Sequence, residues 1–319
     1  MKPIVKEFLT AALLGFVLPG ILLNVAVKQQ LRDAEKPRET VPEESRWTEP
    51  GQGLTMLLTL EDGSVKEMDM NDYLTGVVLA EMPASFETEA LKAQAVVART
   101  YTLKAAQSGK HNGAVCTDYA CCQAYIAETD YTGGAENLEK VRTAVEATDG
   151  LVLTYGGELI EATYFSCSGG STEDAVAVWG TDYPYLRATE SPGEEHAAHY
   201  TDTVTFTAEE FAAKLGQALS GSPASWLGFT TYTAGGGVNS MRIGNTDYKG
   251  TELRTLLGLR STAFTIETEG DTITITTRGF GHRVGMSQYG ADAMAASGSS
   301  FREILAHYYQ GTSLERFGN

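Results

Sequence analysis

The sequence predicts an α+β fold: mixed helices and antiparallel strands around a cleft, with a smaller inserted module, preceded by one N-terminal transmembrane helix. Three observations predict it. The range 8–27 is an apolar run of 20 residues without a charge. Helical periodicity dominates the range 71–106 and returns near the C-terminus. Between these regions, short runs of alternating polarity are separated by glycine turns, which is typical of antiparallel strands.

We divide the chain into a transmembrane anchor, a stalk, a main domain and a smaller inserted module. At about 1.5 Å per residue, the apolar run spans a hydrocarbon core of about 30 Å. Lysine and arginine flank it on both sides, so charge does not fix its orientation. A cleaved signal peptide is the alternative, although the run is long for one and lacks a good cleavage site. The predicted ranges are 1–28 for the anchor, 29–53 for the stalk, 54–202 with 270–319 for the main domain, and 203–269 for the module.

Composition narrows the classes of ligand. The chain has 319 residues, of which 42% are hydrophobic, enough for a real core. Its formal net charge is -17 and its pI is about 4.7. Because phosphate repels such a surface, we expect no nucleic acid partner. A neutral or zwitterionic ligand is compatible with this charge.

A helical run interrupted at Pro83 predicts two helices. The first can be capped by Asn71 or Asp72. Proline lacks an amide and disfavours helix in the residue before it, so the first helix ends just before Pro83. The second helix begins at Ser85 or Thr88 and runs for about five turns.

Glu81 lies at the end of the first predicted helix. It follows the apolar residues Leu74, Val77 and Val78 by seven, four and three positions, so it shares their buried stripe. Burial and the negative end of the helix dipole both favour the neutral carboxyl and raise its pKa. A general acid near neutral pH needs such a pKa. The alternative is a solvated helix-end carboxylate or ion-pair partner.

Lys92 and Arg99 are seven residues apart and share one face of the second helix. If that face turns toward Glu81, two cations flank the acid and lower its pKa, which opposes the effect of burial. The alternative is that both cations stay solvated.

Three of the four cysteines lie within seven residues, on a polar loop with a histidine just upstream. The cluster is His111, Cys116, Cys121 and Cys122. Thiolate and imidazole at short spacing are the ligands of tetrahedral zinc. Disulfides and free thiols are the alternatives, although adjacent Cys121 and Cys122 can hardly bridge each other without strain.

Three longer blocks stand in order along the chain. They are DYLTGVVLAEMPASFETEALKAQAVVARTYTL (72–103), SCSGGSTEDAVAVWGTDYPYLRAT (166–189) and RGFGHRVGMSQYGADAMAASGSSFREILAHYYQGT (278–312). Together they resemble the stage II sporulation protein D family of peptidoglycan lytic transglycosylases, over the range from about 54 to 316. The family run more often has glycine where Arg283 stands.

The resemblance implies roles for particular residues. Glu81, in the Glu-Met-Pro run, corresponds to the catalytic acid. Cys116 and Cys122, with His111 upstream, resemble the ligands of a structural zinc ion, with Cys121 as the alternative second thiolate. Hydroxyls, rings and cations near these blocks are candidates for binding a glycan in the cleft. These candidates are Lys92, Arg99, Ser166, Ser168, Tyr185, His282, Gln288 and Tyr289.

The resemblance also implies an activity. We expect cleavage of the bond between N-acetylmuramic acid and N-acetylglucosamine in peptidoglycan strands, preferably strands without stem peptides, with 1,6-anhydromuramyl products. The expected setting is remodelling of the septal wall and engulfment during sporulation. Expected partners are the sporulation proteins P, an amidase and endopeptidase, and M, a membrane protein. The chain would cross the cell membrane once, with its catalytic domain outside the cytoplasm at the sporulation septum. A zinc-dependent amidase and a non-enzymatic wall-binding component are the alternatives.

Overall fold

The computed structural model describes residues 54–60, 62–109 and 111–317. The predicted anchor (1–28) and stalk (29–53) lie outside these ranges, so both stay predictions. Within the described ranges, no helix combines the length and apolarity that crossing a bilayer requires.

The described part of the chain is a mixture of helices and strands, as the sequence predicts. Its α-helices are α1 (Met70–Glu81), α2 (Thr88–Gln107), α3 (Ala135–Glu146), α4 (Ala175–Trp179), α5 (Ala208–Leu215), α6 (Gly250–Leu257), α7 (Gln288–Ala296) and α8 (Phe301–Tyr308). Its strands are β1 (Thr55–Thr59), β2 (Val65–Asp69), β3 (Val115–Cys116), β4 (Leu151–Tyr155), β5 (Glu158–Leu159), β6 (Tyr164–Phe165), β7 (Gly170–Ser171), β8 (Glu190–Ser191), β9 (Thr201–Thr207), β10 (Leu227–Tyr232), β11 (Val238–Ile243), β12 (Thr246–Lys249), β13 (Phe264–Glu269), β14 (Thr272–Arg278), β15 (Met286–Ser287) and β16 (Ser313–Arg316).

The predicted break between α1 and α2 is confirmed. Helix α1 ends at Glu81, and Met82 is extended before Pro83. The predicted cap is wrong by a few residues. Asp69 is the cap, and its carboxylate accepts the amides of Asn71 and Asp72 at 2.8 and 3.3 Å. The amides at 71 and 72 need an acceptor at this helix end, and the carboxylate that precedes them supplies it.

Helix α2 is the centre of the larger hydrophobic core. Its residues from Ala90 to Thr100 are buried except for Lys92, so it has no continuous exposed face there. It packs against α1, α3, α7, α8 and β4. Four alanines at 90, 93, 95 and 98 have no exposed surface, and their small side chains let these neighbours approach closely. The core therefore holds α1, with Glu81 at its end, against a rigid support.

The sheets are small and open. Their strand orders are β2-β1-β3, β10-β11-β12, β13-β14-β9 and β16-β4-β5, with the pairs β15-β6 and β7-β8. Most pairings are antiparallel as predicted, but β1 with β3 and β15 with β6 run parallel. The predicted hairpin between β4 and β5 is confirmed. Its turn residues Gly156 and Gly157 have φ of +61° and +84°, which favours glycine at both.

A second hydrophobic cluster lies within residues 204–275. It is formed by side chains from β9, α5 and the elements up to β14, with Phe211, Trp226 and Leu253 among its buried members. Ile273 and Ile275 of β14 also belong to it, and β14 pairs with both β13 and β9. The predicted boundary at 269 falls in the turn between β13 and β14. The division into a main domain and a module (203–269) stays a prediction.

Candidate active site

A cleft of about 680 Å³ opens at the end of helix α1. It brings together four of the predicted catalytic and substrate-binding residues, Glu81, Ser166, His282 and Gln288, from three distant parts of the sequence. We call it the Glu81 cleft. Its other lining residues are Tyr101, Tyr119, Cys122, Gln123, Thr163, Tyr164, Phe165, Trp179, Phe280 and Gly281.

Glu81 is half-buried at the cleft wall. The backbone amide of Ala124 donates to its Oε1 at 2.8 Å, and the Tyr164 hydroxyl also lies within hydrogen-bonding reach. Burial raises the pKa of Glu81, while these two donors oppose the rise because they stabilise the carboxylate. Burial is the largest of these effects on the pKa, whereas the sequence left open whether burial or the two cations would dominate. Glu81 can therefore hold a proton at a pH where an exposed glutamate has lost it.

Tyr164 belongs to a short chain of hydrogen bonds beside Glu81. Its hydroxyl lies 3.0 Å from Gln123 Oε1 and also within reach of Glu81, so its one proton can be donated to either acceptor, one at a time. Gln123 Nε2 donates to the Thr102 hydroxyl at 2.9 Å. Burial raises the pKa of Tyr164 well above its ordinary value, so the phenol stays protonated. It therefore acts as a neutral donor that fixes the position of the acid.

His282 lies in a glycine turn on the cleft wall. Gly285 has φ of +82°, and a Cβ there would lie 2.0 Å from the Thr163 carbonyl oxygen, so only glycine fits. The Val284 amide donates to His282 Nδ1 at 3.1 Å, which places the proton of the neutral ring on Nε2. Burial, with a smaller contribution from Arg254, lowers the pKa of His282 to about 4. The imidazole is therefore neutral at neutral pH.

Gln288 and Ser166 are placed by the parallel pairing of β15 with β6. The Tyr289 amide donates to the Ser166 carbonyl at 3.0 Å and fixes the start of α7 against this strand. Gln288 is only 5% exposed, and its Nε2 has no hydrogen-bond partner among the described residues. A buried amide group without a partner in a cleft wall is available to a ligand.

The two predicted cations lie outside the Glu81 cleft, so they do not flank the acid. Lys92 pairs with Glu89 at 2.7 Å on the same helix. Arg99 has no exposed surface. Its guanidinium donates to the carbonyls of Thr148 and Leu151 at 2.8 and 3.2 Å, and to Asn71 Oδ1 at 3.0 Å. The structure therefore gives Arg99 a structural role, because the carbonyls of Thr148, just after α3, and of Leu151, at the start of β4, need a donor.

Three further candidates also lie away from the cleft lining. Ser168 has no exposed surface, and its hydroxyl donates to Glu194 Oε1 at 3.0 Å. Tyr185 is 7% exposed, and its hydroxyl accepts the Glu161 amide at 3.0 Å. The ring of Tyr289 packs edge-on against another aromatic ring at 4.9 Å. These side chains support the loops around the cleft, and their roles in substrate binding stay predictions.

Arg283 is buried at the position where the resembling family run more often has glycine. Its φ is +66° and it is 2% exposed. The guanidinium forms an ion pair with Glu173 at 3.0 Å, and Glu173 has no exposed surface. It also donates to three carbonyl oxygens, those of Ser168 at 2.7 Å, Ser171 at 2.8 Å and Gly235 at 2.7 Å. Arg283 thereby links the second and third sequence blocks to the loop before β11.

The cysteine loop beside the cleft forms a compact set of metal-ligand atoms. One atom each from His111, Cys116, Cys121 and Cys122 lies within 4.8 Å of the others, and His111 Nε2 is 3.2 Å from Cys121 Sγ. Both Cys121 and Cys122 therefore belong to the set, whereas the sequence left open which one does. None of the four cysteines of the chain, all within the described ranges, forms a disulfide. Three thiols and one imidazole at these distances fit tetrahedral zinc.

The sequence did not identify Tyr101, Gln123 and Tyr164 as cleft residues. Gln123 directly follows the last cysteine of the cluster, and Tyr164 precedes the second sequence block by two residues. Both positions are next to motifs that were recognised, which is the only signal the sequence offers for them. Their contact depends on two segments that meet across 41 residues.

Comparison with known proteins identifies the family. The family model SpoIID, Stage II sporulation protein, matches residues 61–155. Stage II sporulation protein D of Bacillus subtilis (strain 168) is 42% identical over 260 residues, which cover 79% of this chain and 76% of that protein. The chain belongs to the stage II sporulation protein D family. The Bacillus amyloliquefaciens member is 38% identical over 335 residues, with 98% of this chain and 96% of that protein covered.

A relative with lower identity to this chain has a different name. The amidase enhancer of Bacillus subtilis (strain 168) is 31% identical over 302 residues, which cover 76% of this chain and 40% of that protein. The range matched by the family model contains Glu81 and all four candidate metal ligands. The predicted membership of a sporulation protein family is therefore confirmed.

Proposed function

We propose that this protein is a lytic transglycosylase that cleaves the bond between N-acetylmuramic acid and N-acetylglucosamine in peptidoglycan strands. One observation carries the proposal. Among the described residues that line the cleft, Glu81 is the only carboxylate, and burial raises its pKa. Most glycoside hydrolases use two carboxylates, one on each side of the bond. A single protonated carboxylate suits a reaction in which the same group first donates a proton and then accepts one.

The reaction begins with Glu81 in its protonated form. Glu81 gives its proton to the oxygen that links C1 of the muramyl residue to the next sugar, and the C1–O bond breaks. The Glu81 carboxylate then accepts the proton of the muramyl C6 hydroxyl, whose oxygen attacks C1. The products are a 1,6-anhydromuramyl end and a free hydroxyl on the leaving sugar. Glu81 is protonated again, and no water is consumed.

Neighbouring groups stabilise the Glu81 carboxylate and can contact the sugar. The Ala124 amide and the Tyr164 hydroxyl stabilise the carboxylate that forms when the bond breaks. The unpartnered Nε2 of Gln288 can bind hydroxyl or acetamido groups of the sugar, and neutral His282 adds no charge to the cleft wall. The indole of Trp179, which is 43% exposed, supplies an apolar face beside them.

We also propose that His111, Cys116, Cys121 and Cys122 hold one structural zinc ion. Bound zinc would cross-link the loop that leads directly to Gln123 and Ala124, the residues that contact Tyr164 and Glu81. The four residues supply all four tetrahedral positions, whereas a catalytic zinc keeps one position for water or substrate. This donor set therefore favours the transglycosylase over the alternative of a zinc-dependent amidase.

The family supports a setting in sporulation. We propose that the protein acts on peptidoglycan during septal wall remodelling and engulfment, with its catalytic domain outside the cytoplasm and the range 1–28 as its membrane anchor. A relative is named amidase enhancer, which supports action beside an amidase that removes stem peptides. We propose strands without stem peptides as the preferred substrate, and sporulation proteins P and M as partners.

The test is a digest of peptide-free glycan strands with the full-length protein, followed by mass spectrometry of the chain ends. We expect 1,6-anhydromuramyl ends, and we expect Glu81→Gln to reduce their rate of formation by about 10²- to 10⁴-fold, the usual contribution of a general acid. Glu267→Gln is the matched control, since Glu267 is an exposed residue of β13 outside the cleft lining. Reducing ends would identify a hydrolase, and glycan binding without new ends would identify a wall-binding component.

A further inference from the structure

We propose that the cavity between helix α4 and strands β11 and β12 is an outer subsite for a carboxylate-bearing sugar of the glycan strand. The inference rests on the proposed function, because it extends the Glu81 cleft along the same polymer. It assigns a binding role to residues 238–251, where the sequence offers no cluster of catalytic or metal-ligand residues. We call this volume the Lys249 cavity.

The Lys249 cavity has a volume of about 410 Å³. One wall is α4 with Gly180, and the opposite wall is formed by Val238, Asn239, Ser240, Lys249 and Thr251. Its lining thus combines one cation with hydroxyl and amide side chains. Such groups bind the hydroxyl, acetamido and carboxyl groups of an acidic amino sugar.

Trp179 connects this cavity to the active site. Trp179 lines both the Glu81 cleft and the Lys249 cavity, so the two volumes adjoin at this residue. Its ring centroid lies 5.2 Å from that of His282 in the cleft. Gly180, with φ of +77°, ends α4 directly after it. A polymer that occupies the cleft can continue past this indole into the Lys249 cavity.

Lys249 is the residue that gives the cavity its selectivity. It is exposed, and among the residues that the structure describes, no carboxylate oxygen lies within 4.0 Å of its ammonium group. Its backbone amide, by contrast, donates to Glu252 at 2.8 Å and fixes the start of α6. The whole chain carries a formal charge of -17. An unpaired cation in a cavity of so acidic a protein is suited to attract an anionic group of the ligand.

The glycan strand offers such a group at every second sugar. A muramyl residue carries a lactyl ether that ends in a free carboxylate when no peptide is attached, and in an amide when a peptide is attached. Lys249 can pair with the carboxylate but gains no ion pair from the amide. The subsite therefore couples affinity to the charge of the lactyl carboxyl group.

The test measures binding without turnover, in full-length protein that carries Glu81→Gln. The probes are a peptide-free muramyl tetrasaccharide as the free acid and the same molecule as its neutral methyl ester, each titrated by calorimetry. We expect the free acid to bind about two- to fivefold more tightly than the ester, the size of a solvent-accessible ion pair. Lys249→Gln should abolish this preference and leave ester binding unchanged. The preference should also shrink at high salt.

Lys214→Gln is the matched control, because Lys214 is an exposed lysine on α5 that lies outside the cavity lining. It removes the same charge and should keep the preference for the free acid. Trp179→Ala should weaken binding of both probes. If Lys249→Gln keeps the full preference, the subsite is refuted, whatever the active protein does to strands. If the active protein makes no anhydro ends while the Lys249-dependent preference is present, the subsite stands and the proposed function fails.

Discussion

The buried ion pair between Arg283 and Glu173 allows a quantitative prediction about stability. Replacing Arg283 by alanine leaves the Glu173 carboxylate without its cation in a place that has no exposed surface. It also removes the donor to three carbonyl oxygens, in two buried hydrogen bonds and one partly buried one. Removing one partner of a buried pair costs about 3–5 kcal/mol, because the remaining charge stays desolvated. Against a typical total stability of about 5–15 kcal/mol, this loss is large.

The backbone at this position refines the prediction. A side chain at φ of +66° is strained, and glycine relieves about 1–2 kcal/mol of that strain. We therefore expect Arg283→Gly to destabilise the protein by about 1 kcal/mol less than Arg283→Ala does. In the double variant Glu173→Gln with Arg283→Ala, the loss should be smaller than the sum of the two single losses, since no buried charge is left unpaired.

The assay is urea unfolding of the full-length protein, followed by circular dichroism, with the free energy of unfolding extrapolated to water. Arg242→Ala is the control, because Arg242 forms an exposed pair with Asp247 at 3.6 Å that should contribute about 0–1 kcal/mol. A loss below about 1 kcal/mol for Arg283→Ala would show that the buried pair does not stabilise the fold. A larger loss for glycine than for alanine would contradict the argument from backbone strain.

Two further predictions concern the cleft and the cysteine loop. Tyr164→Phe removes a donor that stabilises the Glu81 carboxylate, so the pKa of Glu81 should rise and the alkaline limb of the kcat/KM profile should move to higher pH. Tyr119→Phe, at the rim of the same cleft, should not move the limb, and an equal shift in both variants would argue against the contact. Purified protein should contain one zinc ion per chain by elemental analysis, and Cys121→Ser should lower this content while Cys167→Ser, outside the ligand set, retains it. Full zinc content in Cys121→Ser would remove that residue from the ligand set.

Local features of the fold were predictable from the sequence. Pro83 fixes the end of α1, and the spacing of Glu81 from the apolar residues before it places the carboxyl on a buried stripe. Gly156 and Gly157 predict their hairpin because both need positive φ. The close spacing of the cysteines brings them together on one loop. Each of these features depends on residues within a few positions of one another.

Contacts between distant segments were not predictable in the same way. Periodicity shows which residues of α2 share a face, but it does not reveal that the carbonyls of Thr148 and Leu151 lie opposite Arg99. The parallel pairing of β15 with β6 joins segments more than 120 residues apart and leaves no mark in either. Tyr164 and Gln288 enter the cleft through that pairing, so only the structure could place them together.

The packing of α2 against the C-terminal helices decides when the Glu81 cleft first forms during synthesis of the chain. The Phe301 amide donates to Glu89 across 212 positions, and the Glu87 amide donates to Asp292 across 205. Contacts between residues so far apart in sequence form late in folding, because closing a long loop costs conformational entropy before the contact is made. A chain that is still being synthesised lacks α7 and α8, and with them part of the cleft wall. Under the proposed function, no strand can be cleaved until the last segment of the chain has been made and packed.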